Sequence, residues 1–394
     1  MIAANMTGLL AILAGAGAGH LAGMMTGLTP GLHINLVAQM LLLAWPLLTV
    51  SKSAALGFLV AMAIAHTFFD AIPSMLLGVP DEGSILAVMP AHKLVMKGRA
   101  REALALNLAG SMAAMLLFAV ALPSLLLTLP TLAHPPLIVR TVVLIGLPLL
   151  ALLGKNTWTN LALFAAAGLL GLATMQQDLL MPLLTGLFGM PTLLAAAGKL
   201  PFQRRRWPRI RPLWSAVKAL PACGASLFSA LLPGITTAHA AWLSSVGGRG
   251  QRSYILAAGA INTFDMTVSL LLCALTGVAR NGIAIALEGL GLAGQVRLWP
   301  SVAGTMLVSA GTAALLLPKV ADVAIAVLDR VPYRTVTILL ALALTLLAFL
   351  TSGLLGLIAL ATATALGTVC LSVGGKRSSM TGVLIAPVLV YYLS

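Results

Sequence analysis

In a chain this apolar, polar side chains beside helix breakers stand out, and two short stretches hold most of those suited to chemistry. The first runs Thr29-Pro30-Gly31, with His33 and Asn35 close behind. The second runs Pro233-Gly234, with Thr236, Thr237 and His239. Proline suits the first turn of a helix, where its missing N–H breaks no bond. The residue before it is pushed to an extended conformation. Glycine next to it lets backbone or ligand approach closely. Each stretch therefore reads as a helix start inside an apolar segment. Lipid offers no partner to the free N–H groups of such a start. A helix N-terminus carries partial positive charge and binds carboxylate or phosphate. Two of them facing each other make an anion site without lysine or arginine. The flanking side chains can all donate to oxygen. The plainer alternative is a set of interfacial loop or helix-packing polar residues.

A second pair of stretches carries ionisable groups: His66-Thr67-Phe68-Phe69-Asp70 and Asn262-Thr263-Phe264-Asp265. Asp70 and Asp265 end long apolar runs, and an ionisable residue within a membrane is expensive and often functional. Asp70 with His66 suits a proton carrier. Thr67, Asn262, Thr263 and backbone carbonyls suit a sodium ligand set. The competing reading makes Asp70 a helix cap, because Ala71-Ile72-Pro73-Ser74 follows it. His20 reads as a packing residue, and His92 and His134 as loop residues without a role. Asp178 reads as part of a short turn. Glu288 lies in a weakly apolar segment, 280–297, that suits the membrane interface. No GxxxxGK[ST], nucleophile elbow or HExxH is present, and nine acidic residues in all leave little for a catalytic carboxylate cluster.

The elements that position these groups are membrane spans. The chain is 60% hydrophobic and only 8% charged, where a soluble protein carries about a quarter charged residues. No Lys, Arg, Asp or Glu precedes Lys52, and Thr335–Gly375 is uncharged and split by Thr351-Ser352-Gly353. Apolar runs of about 20 residues read as transmembrane helices. The expected spans are roughly 7–25, 54–76, 103–127, 137–153, 158–175 and 179–198, then 213–231, 253–276, 298–317, 335–350, 353–371 and 381–393. Short broken segments fall at about 28–48 and 233–247. The first span, Thr7–Met25, lacks the basic flank of a signal peptide and is expected to remain in the mature protein. Its Gly15, Gly17, Gly19 and Gly23 suit a close-packing face.

Three signatures recur in the same order. Leu28-Thr29-Pro30-Gly31-Leu32 matches Leu231-Leu232-Pro233-Gly234-Ile235. The two polar stretches match each other. Thr185-Gly186 with Pro191 matches Thr381-Gly382 with Pro387. Thr67 to Thr185 and Thr263 to Thr381 are both 118 residues apart. The expectation is an all-α polytopic membrane protein of two homologous halves, 1–200 and 201–394, with a basic cytoplasmic linker at about 199–211. Each half carries a Pro-Gly-broken, re-entrant or discontinuous helix. Inverted repeats are favoured, because inversion brings both breaks to the midplane from opposite sides.

The formal net charge is +14. It falls between apolar segments, as in Gln203-Arg204-Arg205-Arg206-Trp207-Pro208-Arg209-Ile210-Arg211, which reads as a cytoplasmic anchor attracting anionic lipid rather than nucleic acid. Cys223, Cys273 and Cys370 lie far apart, without metal or redox spacing.

"GLTPGLHINLVA", "LLPGITTAHAA" and "LTGLFGMPTL" together resemble the large membrane subunit of the tripartite tricarboxylate transporters, especially its shorter archaeal-type relatives. That resemblance implies a carboxylate permease, cation-coupled, with Pro30-Gly31 and Pro233-Gly234 at the substrate site. It also implies a small membrane subunit and an extracytoplasmic binding protein as partners. The reading is therefore a secondary transporter of the cell's inner membrane for a small organic anion. It expects no cofactor beyond Na+ or H+ as coupling ion. A homodimer is compatible with it. Two alternatives stand beside it: a flippase for a lipid-linked phosphate such as polyprenyl phosphate, and a membrane enzyme acting on lipid phosphates through His33 and Asp70.

Overall fold

The computed structural model describes residues 2–30, 34–78, 88–133, 156–174, 179–195, 201–231 and 250–393. Among them the chain is all-helical, and seven helices are long and apolar enough to cross a membrane. The expected span at 137–153 lies outside the described residues.

The first half begins with α1 (Ile2–Leu28), α2 (Ile34–Ala44), α3 (Lys52–Phe69) and α4 (Ala71–Leu77). It continues with α5 (Val88–Val95), α6 (Ala100–Leu132), α7 (Thr157–Thr174), α8 (Leu180–Leu184) and α9 (Met190–Ala195). A π-helical turn, Thr185–Gly189, joins α8 to α9, so the described part of the expected span, residues 179–195, is an interrupted helix. The second half holds α10 (Pro212–Leu231), α11 (Gln251–Thr276), α12 (Gly282–Gly289), α13 (Trp299–Arg330), α14 (Tyr333–Ser372) and α15 (Gly382–Leu393).

Helices α3 and α11 are buried along most of their length, while α1, α6, α13 and α14 turn large parts of their surface outward. In water an exposed apolar helix is a liability; in lipid it is the expected outer face. The second signature sits on the two buried helices. Close approach to them is made by glycine. Methyl groups added at Gly15, Gly19 and Gly23 of α1 would run into the backbone of α3 at Ala54, Phe58 and Met62. Gly27 extends the row against Asp70. Gly17, expected on this face, has nothing near it. The true row is one residue in four, the stripe a helix shows to one neighbour.

The halves interlock. Helix α6 packs on α11 of the other half, and α13 packs on α3. Serines mark both crossings: Ser111 Oγ donates to Gly259 O at 3.1 Å, and Ser309 Oγ donates to Ala61 O at 3.0 Å. Ser309 then accepts from His20 Nδ1 at 3.0 Å, and His20 sets its ring edge-on to Phe69. The packing role expected for His20 is what is seen. Buried apolar side chains form a larger cluster through α3, α6, α11 and α13 and a smaller one through α7, α8, the second part of α14 and α15. Both mix residues from either side of the linker.

Three expectations change. The uncharged run 335–371 contains no loop: α14 is broken at one residue, Gly353, at φ 59° and ψ −148°. Gly356 comes against Ala348, so the second part folds back on the first. Segment 280–297 does not lie along the interface as a whole. α12 buries Ile283, Ala286 and Leu287 and packs on α2, leaving Glu288 exposed. His92 is not in a loop. It sits in α5 with Nδ1 2.9 Å from Met75 O. The three cysteines are buried and unpaired with one another.

The basic linker is docked. Gln203, 2% exposed, accepts from Ala100 N at 2.9 Å and donates to Val95 O at 3.0 Å. Arg204 N donates to Gly98 O at 2.9 Å. Arg101 and Trp207 converge on Asp322.

Candidate functional site

The buried helices α3 and α11 meet at their threonines. Thr67 Oγ1 donates to Ile64 O at 2.9 Å, so Thr263 Oγ1, 3.4 Å away, is the donor between the two hydroxyls. Both residues are almost fully buried. One turn along, Asn262 Nδ2 donates to Asp70 Oδ2 at 2.9 Å and reaches Thr67 O at 3.4 Å. A carboxylate from one half is thus held by an amide from the other.

Asp70 does not cap a helix. Its backbone is right-handed helical, its N–H donates to His66 O at 2.9 Å, and its carbonyl accepts from Ser74 N at 3.2 Å and from Ser74 Oγ at 2.5 Å. Its side chain makes no capping bond. The backbone runs on helically into α4, and Pro73 accounts for the break between α3 and α4, because it has no N–H to return. The cap reading is therefore excluded, and a 3%-exposed carboxylate remains inside a helix. Asp265 likewise lies in the interior of α11 rather than at its end.

The ends of the two Pro-Gly helices close the cluster. Thr26, four residues before Pro30, lies with Oγ1 3.1 Å from His66 Nδ1. Ser229, four residues before Pro233, donates to Asp265 Oδ1 at 2.5 Å. Each hydroxyl therefore sits at the end of its helix and engages a titratable side chain on the buried helix beside it. Neither Thr26 nor Ser229 was singled out in the sequence, although their equal distance from the two prolines was there to be read. A methyl at Gly27 would meet the backbone N of Asp70 at 2.9 Å, which brings the end of α1 directly onto the backbone at the end of α3, where this residue sits.

Side-chain contacts thus join Thr67 to Thr263 and Asp70 to Asn262, while His66 engages Thr26 and Asp265 engages Ser229 on the same two buried helices. Among the described residues there is no group of three or more His, Cys, Asp and Glu arranged to hold a metal. Hydroxyl, amide and carboxylate oxygens are the donor types of a hard monovalent cation or a proton path, and that is the chemistry this arrangement offers.

A family model described as the tripartite tricarboxylate transporter TctA family matches residues 13–382. The chain belongs to that family. The match runs through the whole polar cluster and both Pro-Gly motifs. The TctA-family chain is also 28% identical over 285 residues to an uncharacterized protein of Methanocaldococcus jannaschii, covering 68% of this chain and 70% of that one. No solved structure matches. A multi-pass membrane protein of a transporter family is what the helices and the match give together.

The expected anion-binding residues are only partly on view. Gly31, His33, Pro233, Gly234, Thr236, Thr237 and His239 lie outside the described residues. Thr29 is exposed and turns its hydroxyl back to Met25 O at 2.8 Å. Pro30 is half-buried. Asn35 packs against Gly282 at the start of α12, where Asn281 caps Ala284 N at 2.9 Å. Sequence reading of this TctA-family chain also missed a second polar group, Arg377, Ser378, Ser379 and Thr381, because it follows a long apolar run and reads there as an ordinary basic flank.

Proposed function

We propose that this TctA-family protein is the permease that carries a small organic anion, a carboxylate, across the membrane with a cation gradient. The anion sits between the helix starts at Pro30-Gly31 and Pro233-Gly234. The cation or proton is held at Asp70, Asn262, Thr67, Thr263, His66 and Asp265. One observation carries this reading. The last turn before each Pro-Gly motif is tied to a titratable residue of a buried cluster shared by both halves, through Thr26 to His66 and through Ser229 to Asp265. Occupancy of the cluster and the position of the two helix ends are thereby linked, which is what coupling requires. Family membership favours a soluble carboxylate over a lipid phosphate, and an extracytoplasmic binding protein with a small membrane subunit as partners. The test is uptake of labelled citrate into proteoliposomes under an imposed Na+ or H+ gradient, with the partner subunits supplied. Gradient-driven uptake that loses its gradient dependence in Asp70→Asn and Asn262→Ala is the expected result. Uptake indifferent to both gradients and both substitutions would overturn the coupling site.

A further inference from the structure

The smaller apolar cluster contains a cation that the coupling site does not use. The chain turns after α14 through Gly374, at φ +66°. Gly375 N donates to Cys370 O at 2.8 Å, and Lys376 N donates to Asn160 Oδ1 at 2.9 Å. Asn160 is 1% exposed, so a buried amide on α7 fixes the turn. Arg377 follows at once. Its Nη2 donates to Thr192 Oγ1 on α9 at 2.7 Å. Its Nη1 is buried and has no hydrogen-bond acceptor. Ser379, wholly buried two residues on, likewise has a hydroxyl without a partner.

Three other described arginines are ion-paired. Arg99 and Arg252 pair with Glu102, and Arg101 pairs with Asp322. No ion pair joins Arg377 to any of the six described acidic residues, Asp70, Glu102, Asp265, Glu288, Asp322 and Asp329; Asp81, Glu82 and Asp178 lie outside the described residues. Arg377 is half-buried, and its buried Nη1 donor without an acceptor calls for a partner. Arg377 also sits at the seam between the clusters. Thr192 approaches Gly78 at the end of α4, and the next residue, Leu193, belongs to the larger cluster.

We infer that Arg377 and Ser379 form a carboxylate-binding subsite for the transported anion, a proposal that rests on the organic-anion reading above. With one Nη2 hydrogen committed to Thr192, the buried Nη1 and the Ser379 hydroxyl are the donors left without acceptors, and they are offered to the oxygens of one carboxylate. The planar guanidinium lets Nη2 stay on Thr192 while Nη1 is held at a fixed angle toward the ligand, which a lysine ammonium does not reproduce. A ligand at the seam touches both clusters, so its binding reports on their relative position.

The experiment uses the full chain in detergent and in proteoliposomes with its partner subunits, and compares Arg377→Gln, Arg377→Lys and Ser379→Ala with wild type. Protection against heat is measured with citrate, succinate, acetate, inorganic phosphate and chloride at fixed ionic strength, together with KM for labelled citrate uptake. Arg377→Gln is expected to weaken citrate binding at least 10-fold, Arg377→Lys 3- to 10-fold and Ser379→Ala about 3-fold. Ligand-free melting should stay near wild type at least in the Ser379→Ala and Arg377→Lys proteins. Wild-type uptake with an unchanged KM in Arg377→Lys and Ser379→Ala overturns the subsite and leaves the permease reading standing. Protection by phosphate or chloride equal to that by citrate overturns the carboxylate class. A wild-type protein that takes up none of the carboxylates overturns the permease reading and this subsite with it.

Discussion

Two glycines on α1 should respond to the same substitution in opposite ways. Gly17 has open space where a methyl would go. Alanine is the better helix former by about 1 kcal/mol, so Gly17→Ala should be neutral or slightly stabilising. At Gly27 the added methyl would lie 2.9 Å from Asp70 N, 3.0 Å from Phe69 Cβ and 3.1 Å from His66 O. Ordinary contact begins near 3.4 Å. All three neighbours belong to a buried helical segment, so α1 must retreat by roughly half an ångström, a shift a close-packed interior resists. Overpacking of this kind costs about 1–3 kcal/mol. The retreat also stretches the 3.1 Å contact between Thr26 and His66, a hydrogen bond worth about 0.5–1.5 kcal/mol. The propensity gain is common to both variants and cancels, so Gly27→Ala should lose about 1.5–4.5 kcal/mol relative to Gly17→Ala. Unfolding by SDS in mixed micelles measures the difference, and citrate uptake measures the effect on the cluster. Equal stability of the two variants, with equal uptake, would refute the view that α1 is held against the coupling site by the absence of a side chain.

Other outcomes follow from the same contacts. Ser111→Ala and Ser309→Ala each remove a hydroxyl bonded to a carbonyl of the buried helix opposite, and each should cost about 1 kcal/mol in the same SDS assay. Gln203→Ala removes the bonds to Ala100 N and Val95 O, so the linker 201–211 should become a site of rapid proteolysis while citrate uptake persists. Burial holds the His92 imidazole below its usual 6.5, against a smaller opposing effect of its bond to Met75 O. The unfolded chain then binds the proton more readily, so stability is complete above 6.5 and falls as the pH drops below it. His92→Gln should flatten that acid-side decline, followed as melting temperature against pH.

The helices were legible because lipid removes the usual ambiguity: a long uncharged run has one structure available to it. The paired polar stretches were legible as a pair, since Thr67 and Asp70 of the first have Thr263 and Asp265 as counterparts in the second. What the sequence did not disclose was partnership. Nothing in the order of residues says that Asn262 reaches Asp70 of the other half, or that α6 crosses to α11 rather than staying with α3. Those pairings depend on crossing geometry between segments nearly two hundred residues apart. Gly17 and Gly27 exchanged roles because alternate glycines look like a face in the sequence, whereas a helix shows one neighbour every fourth residue. Asp70 looked like a cap because Pro73 follows it, yet proline inside a helix removes one hydrogen bond without ending the helical path. Arg377 escaped notice for a different reason. A cation at the end of an apolar run has an ordinary explanation in topology, and the buried Nη1 without an acceptor is visible only in the fold.

The corner at Gly353 bears on how the protein can move. The first part of α14 joins the larger cluster through Leu344, and the second joins the smaller through Ala359, Ala363 and Cys370. Between them stands a single residue whose backbone angles only glycine adopts without strain, and open space surrounds the position of its missing side chain. Such a joint has no slack for the two clusters to draw apart, and the close packing of Gly356 on Ala348 is the contact that a turn about it must change. Where a loop would act as a tether, one α-carbon here acts as a corner, and the two clusters meet across it at a fixed distance.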